Sequence, residues 1–380
     1  MPLCRPLLDV IATIPDVRDR RGKRHPLAGV LALGCVATLC GARSYSAVAE
    51  WGHTYREVDP ALLRSLGLGR HGPPSSATIH RIFRRIDVGA LEWALGHWAQ
   101  AVLATVPVPA GHLEGIALDG KTLRGTRTDA VPGLHLLSAV SHRLGLTLGQ
   151  IPVGEKTNEI PLAHTLLAGL LLEGRVLTMD ALLTQRALAQ DIVNQGGDYV
   201  MVVKDNQPTL RADIALLFAT PGDVAAASTH TGSTDRAHDR QERRTLQAST
   251  ALTRYLDWPG LAQVFRLERR ILDTRTGEIH QEVVYGLTSL AAARADAKAV
   301  LRLLRDHWTI ENRSHWVRDV TYDEDRSHAR TGAIPQVMAA LRNLAISLLR
   351  LAGFTAIAPA TRRLAALPWH ALALIGCARE

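Results

Sequence analysis

Asp119, Asp180 and Glu311 are the residues on which chemistry could be built. Asp119 closes the apolar run GIAL, and Asp180 closes RVLTM. Each run has the length and composition of a buried strand, and ligands of open α/β sheets gather at the carboxyl ends of such strands. Two carboxylates placed side by side there repel each other unless a cation or a proton lies between them. A third acid from a helix packed over the strands completes an oxygen cage for a hard divalent cation such as Mg²⁺. Two such ions suit in-line phosphoryl transfer, one activating a water or a 3′-hydroxyl and the other stabilising the leaving oxygen.

Glu311 is the expected third acid. Leu301, Leu304 and Trp308 recur at spacings of three and four, and the same spacing continues through Glu311, His315 and Arg318. As one helix, these six residues share a face. An unpaired carboxylate is rarely buried on such a face, so a positive partner is expected for it. Arg318 and Lys121 are candidate phosphate contacts. His315 is a candidate for the same role or for orienting a carboxylate, and His307, one turn before Glu311, is a further candidate phosphate contact. Asp319 is rotated off the Glu311 line, and Asp323, Glu324 and Asp325 fall in a polar stretch expected to be a loop or a solvated face.

Plainer readings stand beside these. Asp119-Gly120 is a common turn pair, Asp180 a common helix cap, and Glu311 a ready partner for Arg318 or His315. The scattered histidines and the cysteine spacing show no zinc pattern, and no GxxxxGK[ST] loop suggests ATP use.

The elements that must carry these residues are legible in outline. Residues 1–108 read as helical, and SSATIHRIFRRID has a serine cap signal with Ile79, Ile82, Phe83 and Ile86 at helical spacing. His80, Arg81 and Arg84 lie elsewhere around that helix, which suits either the reading helix of a helix-turn-helix or a solvated surface. VPVPAGH reads as a linker. Beyond it come a strand, a hairpin (LHLLSAVSH, LTLGQIPVG), then alternating helices and strands, which describes a mixed sheet covered by helices. Residues 221–290 break the alternation with strand-like runs, and residues 291–380 return to helix. The resulting division is 1–108, 109–220, 221–290 and 291–380.

The chain of 380 residues carries a formal charge of +8, with a pI near 9.7, which favours an anionic partner, nucleic acid before an acidic membrane. Cys4, Cys35, Cys40 and Cys377 show no paired spacing, as in a reduced cytoplasmic chain. The N-terminal residues lack a signal-peptide pattern. The uncharged run LAGVLALGCVATLCGA is short for a membrane span and reads as a core helix.

Several ordered stretches, ALDGKTLRG, KTNEIP, MDALLTQ, GGDYVMVVKDNQP, HWTIENRSHWVRDVTYDEDRS and VMAALRNLAI, together with IPDVRDRRGKRHPL and GARSYSAVAEW near the N-terminus, resemble the ISAs-type insertion-sequence transposases, the H-repeat-associated group of the DDE superfamily. The resemblance spans nearly the whole chain. It implies an α/β, RNase H-like mixed sheet with a β-rich insertion, preceded by an α-helical N-terminal domain. It also implies that Asp119, Asp180 and Glu311 form the catalytic, metal-holding triad. A tyrosine, an arginine and a lysine that often accompany the glutamate in the superfamily are matched here by Leu304, His307 and Arg318. Leu183 and Asp239 replace a histidine and a glycine common in the group.

The implied activity is metal-dependent cleavage of element ends and strand transfer into target DNA. It would use two Mg²⁺ ions, with Mn²⁺ able to substitute, double-stranded DNA as partner, and a homodimer on DNA. His80, Arg81, Arg84 and the HDRQERR segment are the candidate DNA contacts outside the core. The rivals are an RNase H-like nuclease without strand transfer, a DNA-binding remnant without catalysis, and a basic membrane-associated protein, which the short apolar run disfavours.

Overall fold

The computed structural model describes residues 6–129, 131–154, 158–220, 228–232, 235–237 and 240–377. Helices come first: α1 (Leu7–Ala12), α2 (Leu27–Leu39), α3 (Tyr45–Val58), α4 (Pro60–Ser65), α5 (Ser76–Arg85) and α6 (Val88–Thr105). Then come β1 (Glu114–Leu123), β2 (Leu134–Ser141), β3 (Thr147–Val153), α7 (Glu159–Ala168), β4 (Arg175–Met179), α8 (Arg186–Asn194), β5 (Asp198–Val203) and α9 (Pro208–Ala219). Strands β6 (Ser228–Thr231), β7 (Asp235–Ala237), β8 (Arg240–Ser249), β9 (Gln263–Asp273) and β10 (Ile279–Thr288) are next. The chain closes with α10 (Ala297–His307), a π-helical turn (Glu311–His315), α11 (Trp316–Val320), α12 (Ile334–Leu351), α13 (Ile357–Ala366) and α14 (Pro368–Leu374).

The chain divides into two compact units. One comprises Met1–Pro109, Gly120–Asn158 and Thr309–Glu380; the other comprises Ala110–Asp119 and Glu159–Trp308. In the first, α2 is uncharged and buried almost end to end, as its composition requires, and α12 is buried from Ile334 to Leu349. Side-chain caps start the helices: Ser44 accepts from the Ala47 amide, Ser75 from Thr78 and Asp87 from Ala90. The expected hairpin is present, with β2 antiparallel to β3. A buried polar network joins α6, β3 and α12. The Gln150 and Gln336 amides donate to the two Glu92 carboxylate oxygens, each at 2.7 Å, and the Asn343 amide donates to Gln150 at 2.8 Å. Burial pushes the Glu92 carboxyl up to about 7, against those two hydrogen bonds and the Arg318 charge.

In the second unit the strand order is β1-β4-β5-β10-β9-β8-β6, with β7 on β8. β1, β4 and β5 are parallel, and β10 adds antiparallel to β5 in the register Tyr285↔Val203. This is a mixed α/β sheet, and the RNase H-like class expected from the sequence holds. The strands after residue 228 do not stand apart from the sheet. β10 carries the ladder of β9 and β8 onto its β5 side. Helix α10, capped by Asp296, packs Val300, Leu301, Leu303 and Leu304 against Val176 of β4, Val200 of β5 and Phe265 of β9. Among the described residues no helix is long and apolar enough to cross a membrane, and Cys35, Cys40 and Cys377 are free. Cys4 and Asp239 lie outside the described residues.

Candidate active site

β1 and β4 pair in parallel up to Leu118↔Met179, so the next opposed positions are Asp119 and Asp180. The strand does not end at Asp119, nor does a turn begin there. β1 runs on to Leu123, and what stops after Leu118 is its pairing with β4. Asp180 lies one residue past the end of β4. It does not cap α8, whose N-cap is Gln185. Its Oδ1 accepts the Leu183 amide at 3.3 Å, which folds the residues after it into a tight turn.

That turn is held by residues to which the sequence pattern gave no role. The Thr184 hydroxyl donates to the Val202 carbonyl at 2.6 Å, the Asn206 amide to Ala181 O at 2.5 Å, and the Gln207 amide to Thr184 O at 3.2 Å. The KDNQP stretch thus clamps the MDALLTQ stretch, a pairing hinted at only by both being motifs of the resemblance. Leu183, where a histidine is common, is buried in the core of this turn.

Desolvation from the protein side pushes the Asp180 carboxyl above the ordinary carboxylate range, although its outer edge reaches solvent. The Leu183 amide opposes this, Glu159 of α7 adds to it, and Lys204 opposes it more weakly. The site therefore concentrates negative charge at the end of the β1–β4 pairing. Carboxylate oxygens in adjacent register are the donor chemistry that hard divalent cations take. Among the described residues no group of three or more His, Cys, Asp or Glu side chains has metal-cage spacing. The opposed pair is what the second unit itself supplies.

Over β4, the His307 ring at the end of α10 meets the Thr178 hydroxyl, 2.9 Å from Nδ1. Thr178 is two residues before Asp180. Burial drives the His307 pKa down to about 4, so the ring is neutral near pH 7 and is not the cation expected at this position. Leu304 is buried against the sheet.

The single helix expected from Leu301 to Arg318 is broken. α10 ends at His307, and Trp308 is 58% exposed with the Arg269 guanidinium 5.2 Å from its ring centre. Glu311 opens the π-helical turn in the other unit and is exposed, so it does not sit on a buried apolar face. A π turn adds a residue to the ladder and re-phases the residues after it. The spacing thus fails first at the break after His307, which leaves Trp308 and Glu311 exposed, and the π turn shifts it again for the residues that follow.

Arg318 is 0% exposed and its Nε lies 2.7 Å from Glu324, which also pairs with Arg342 at 2.8 Å. Its guanidinium is committed to an internal ion pair, not presented to a phosphate. Glu324 accordingly is not on a solvated face; it is 2% exposed. Burial pushes its carboxyl up, but the two guanidiniums push it further down, below the usual range. Lys121 is buried and pairs with Asp319 at 2.6 Å, and His315 is buried.

On α5, Ile79, Ile82 and Phe83 are buried, and the half-buried His80 stands edge-on to Tyr45. Arg81 is exposed and folds back on Ala77 O and the Thr78 hydroxyl, and Arg84 is exposed. In β8 the basic residues are partly matched, Arg244 with Glu242 at 2.7 Å.

This geometry can be set beside known proteins. The family described as "Transposase DDE domain" matches residues 111–348, and the DDE_Tnp_1-associated family matches residues 8–99. "Putative transposase YncI" of Escherichia coli O157:H7 is 30% identical over 359 residues, covering 90% of this chain and 87% of the relative. "H repeat-associated putative transposase YhhI" of Escherichia coli K12 is 28% identical, covering 90% of each. A piggyBac transposase synaptic complex with hairpin DNA overlays 98% of this chain and 77% of its own, at 12% identity and a TM-score of 0.44. The chain belongs to the DDE transposase family, as an insertion-sequence transposase of the H-repeat-associated group, and so is a divalent-metal-dependent enzyme acting on DNA.

Proposed function

We propose that Asp119, Asp180 and Glu311 are the catalytic triad, holding two Mg²⁺ ions for which Mn²⁺ substitutes. The observation that carries the assignment is the register Leu118↔Met179, which makes Asp119 and Asp180 opposed neighbours. Glu311 comes four residues after His307 in the chain, and His307 is tied to Thr178 close to Asp180. When bound, the ions supply charge neutralisation between the carboxylates and acidify the attacking oxygen. Thr184, Asn206 and Gln207 keep the Asp180 turn from drifting, and Lys204 offsets some of the local negative charge. Neutral His307 is a hydrogen-bonding post for β4 and carries no phosphate.

The reaction is cleavage of a phosphodiester at each element end by water, which frees a 3′-hydroxyl. That hydroxyl then attacks a target phosphodiester, one P–O bond forming as another breaks. The helical residues 1–108 recognise the ends, with His80, Arg81 and Arg84 as contacts, and the core is built from residues 109–220 and 291–380 around the β-rich 221–290. The working form is a cytoplasmic homodimer on double-stranded DNA.

The test uses purified chain, Mg²⁺ or Mn²⁺, and a plasmid carrying the DNA that flanks the gene, with Glu311→Gln alongside. Metal-dependent cutting at defined ends, then joining, with both lost in the variant, is the expected result. Cutting without joining would make the protein a nuclease. Binding without cutting by either protein would make it an inactive remnant.

A further inference from the structure

The motif IPDVRDRRGKRHPL lies in the first unit, far along the chain from the triad, and its two halves do different things. Arg18 is a brace: its guanidinium bonds both Asp16 carboxylate oxygens at 2.8 and 2.9 Å, Gly22 O at 3.3 Å and His25 O at 2.8 Å. This closes the loop around residues 18–25 and fixes the positions of Arg20, Arg21, Lys23 and Arg24, all exposed. Arg24 then lines a cleft of about 420 Å³ together with Arg56 at the end of α3, Arg64 at the end of α4, Arg70 and His71.

Four guanidiniums around one cleft repel one another. Among the described residues none of the four makes an ion pair, whereas Arg18, Arg318 and Arg342 in the same unit are each matched to an acid. Helix carboxyl ends favour cations and account for Arg56 and Arg64, but not for Arg24 or Arg70, which lie in loops. The loop is shaped to receive the side chains. Gly72 has φ +68°, and a Cβ there would lie 3.2 Å from Arg56 Nη1; at Gly69 it would lie 2.8 Å from Arg64 Cγ. Beneath them the buried His25 leaves Nδ1 without a partner, its ring edge-on to His71. Burial first, then the charges of Arg24, His71 and Arg18, push its pKa down, as a surrounding positive field requires.

We propose that this cleft, formed by Arg24, Arg56, Arg64 and Arg70, is a phosphodiester-binding site that seats the backbone of double-stranded DNA without reading its sequence. Guanidinium forks match phosphate oxygens in pairs, and a backbone run supplies the anions the cleft lacks. The identity of the polyanion rests on the transposase reading; the site itself rests on the convergence of unpaired arginines.

The experiment is fluorescence anisotropy on the full chain over a salt series, with one duplex carrying an element end and one scrambled duplex of equal length. Arg56→Gln/Arg64→Gln should weaken both duplexes by the same factor, about 10-fold or more near 0.15 M salt, and lower the log–log salt slope by about 1.8. Arg56→Lys/Arg64→Lys should keep most of the slope. Should the first pair melt early, Arg24→Gln/Arg70→Gln repeats the test from the loops. Unchanged affinity and slope in a folded glutamine variant that still cuts element ends would overturn the cleft and leave the transposase reading intact. A loss confined to the element-end duplex would mean base readout and would also overturn it. A wild-type chain that binds neither duplex would overturn the DNA reading and this site with it.

Discussion

His307 and Thr178 meet at 2.9 Å, ring nitrogen to hydroxyl, and so tie the end of α10 to β4 two residues before Asp180. The bond is made by a neutral ring. Its pKa is pushed down to about 4 by burial, against an ordinary value of 6.5. The unfolded chain therefore binds this proton first, and the stability contributed is complete above about pH 6.5 and lost as pH falls through about 4. Subtracting the pH–stability curve of His307→Gln from that of the wild type should show this loss in that window alone. The same variant should leave the salt slope of DNA binding unchanged, because no charge is removed; a lower slope would return His307 to the phosphate contacts.

Asp119→Asn and Asp180→Asn should each lower element-end cutting by roughly 100- to 1,000-fold, the scale of losing one preorganised electrostatic group. Asp180→Asn should not lower the melting temperature measured in EDTA, since burial already pushes that carboxyl toward its neutral form. A variant that melts several degrees early would make the residue structural.

Glu92 has the opposite pH signature to His307. Its folded-state pKa of about 7 lies above the ordinary 4.5, so its contribution is full below about pH 4.5 and is lost as pH rises through 7. The loss is at most about 3 kcal/mol. Glu92→Gln, with the Gln336 amide turned to accept, should flatten urea stability between pH 5 and 8 relative to wild type. A parallel pair of curves would show that Glu92 does not titrate in this range.

Glu324→Gln should be among the most destabilising single changes in the first unit, by about 3–5 kcal/mol, because it strands Arg318 and Arg342 in the interior. Denaturant unfolding measures it directly. A cost under 1 kcal/mol would show that the pair is open to water.

Much of this was legible from the chain alone. Apolar runs closed by Asp119 and Asp180 announced the strands, and the Ser75 signal placed α5. The uncharged run from Leu27 read as a core helix because it has no polar face to offer water. The illegible parts depended on partners distant in sequence or on a change of helical period. Arg318 has a carboxylate six residues on and a second arginine eighteen beyond that carboxylate, and nothing local distinguishes it from a surface cation. Glu324 looked solvated because its neighbours are polar. The apolar run stops at Asp119 and so suggests that β1 closes there, whereas the strand continues to Leu123 beside a neighbouring strand, β2. The Arg24, Arg56, Arg64 and Arg70 cleft gathers residues spread over four segments, so only basicity foreshadowed it.

The π-helical turn at Glu311–His315 has a consequence for how this stretch tolerates changes in length. It carries a residue beyond what an α-helical ladder needs. Deleting one residue there would let the ladder close as α-helix and leave Trp316–Val320 nearly in phase, because five residues of π-helix and four of α-helix sweep similar angles about the axis. Val317 and Arg318, both buried, would keep their places, and Glu324 its partner. Relatives shorter by one residue in this turn should therefore keep the charges at the positions matching Arg318 and Glu324, whereas a deletion within Trp316–Val320 would separate that pair.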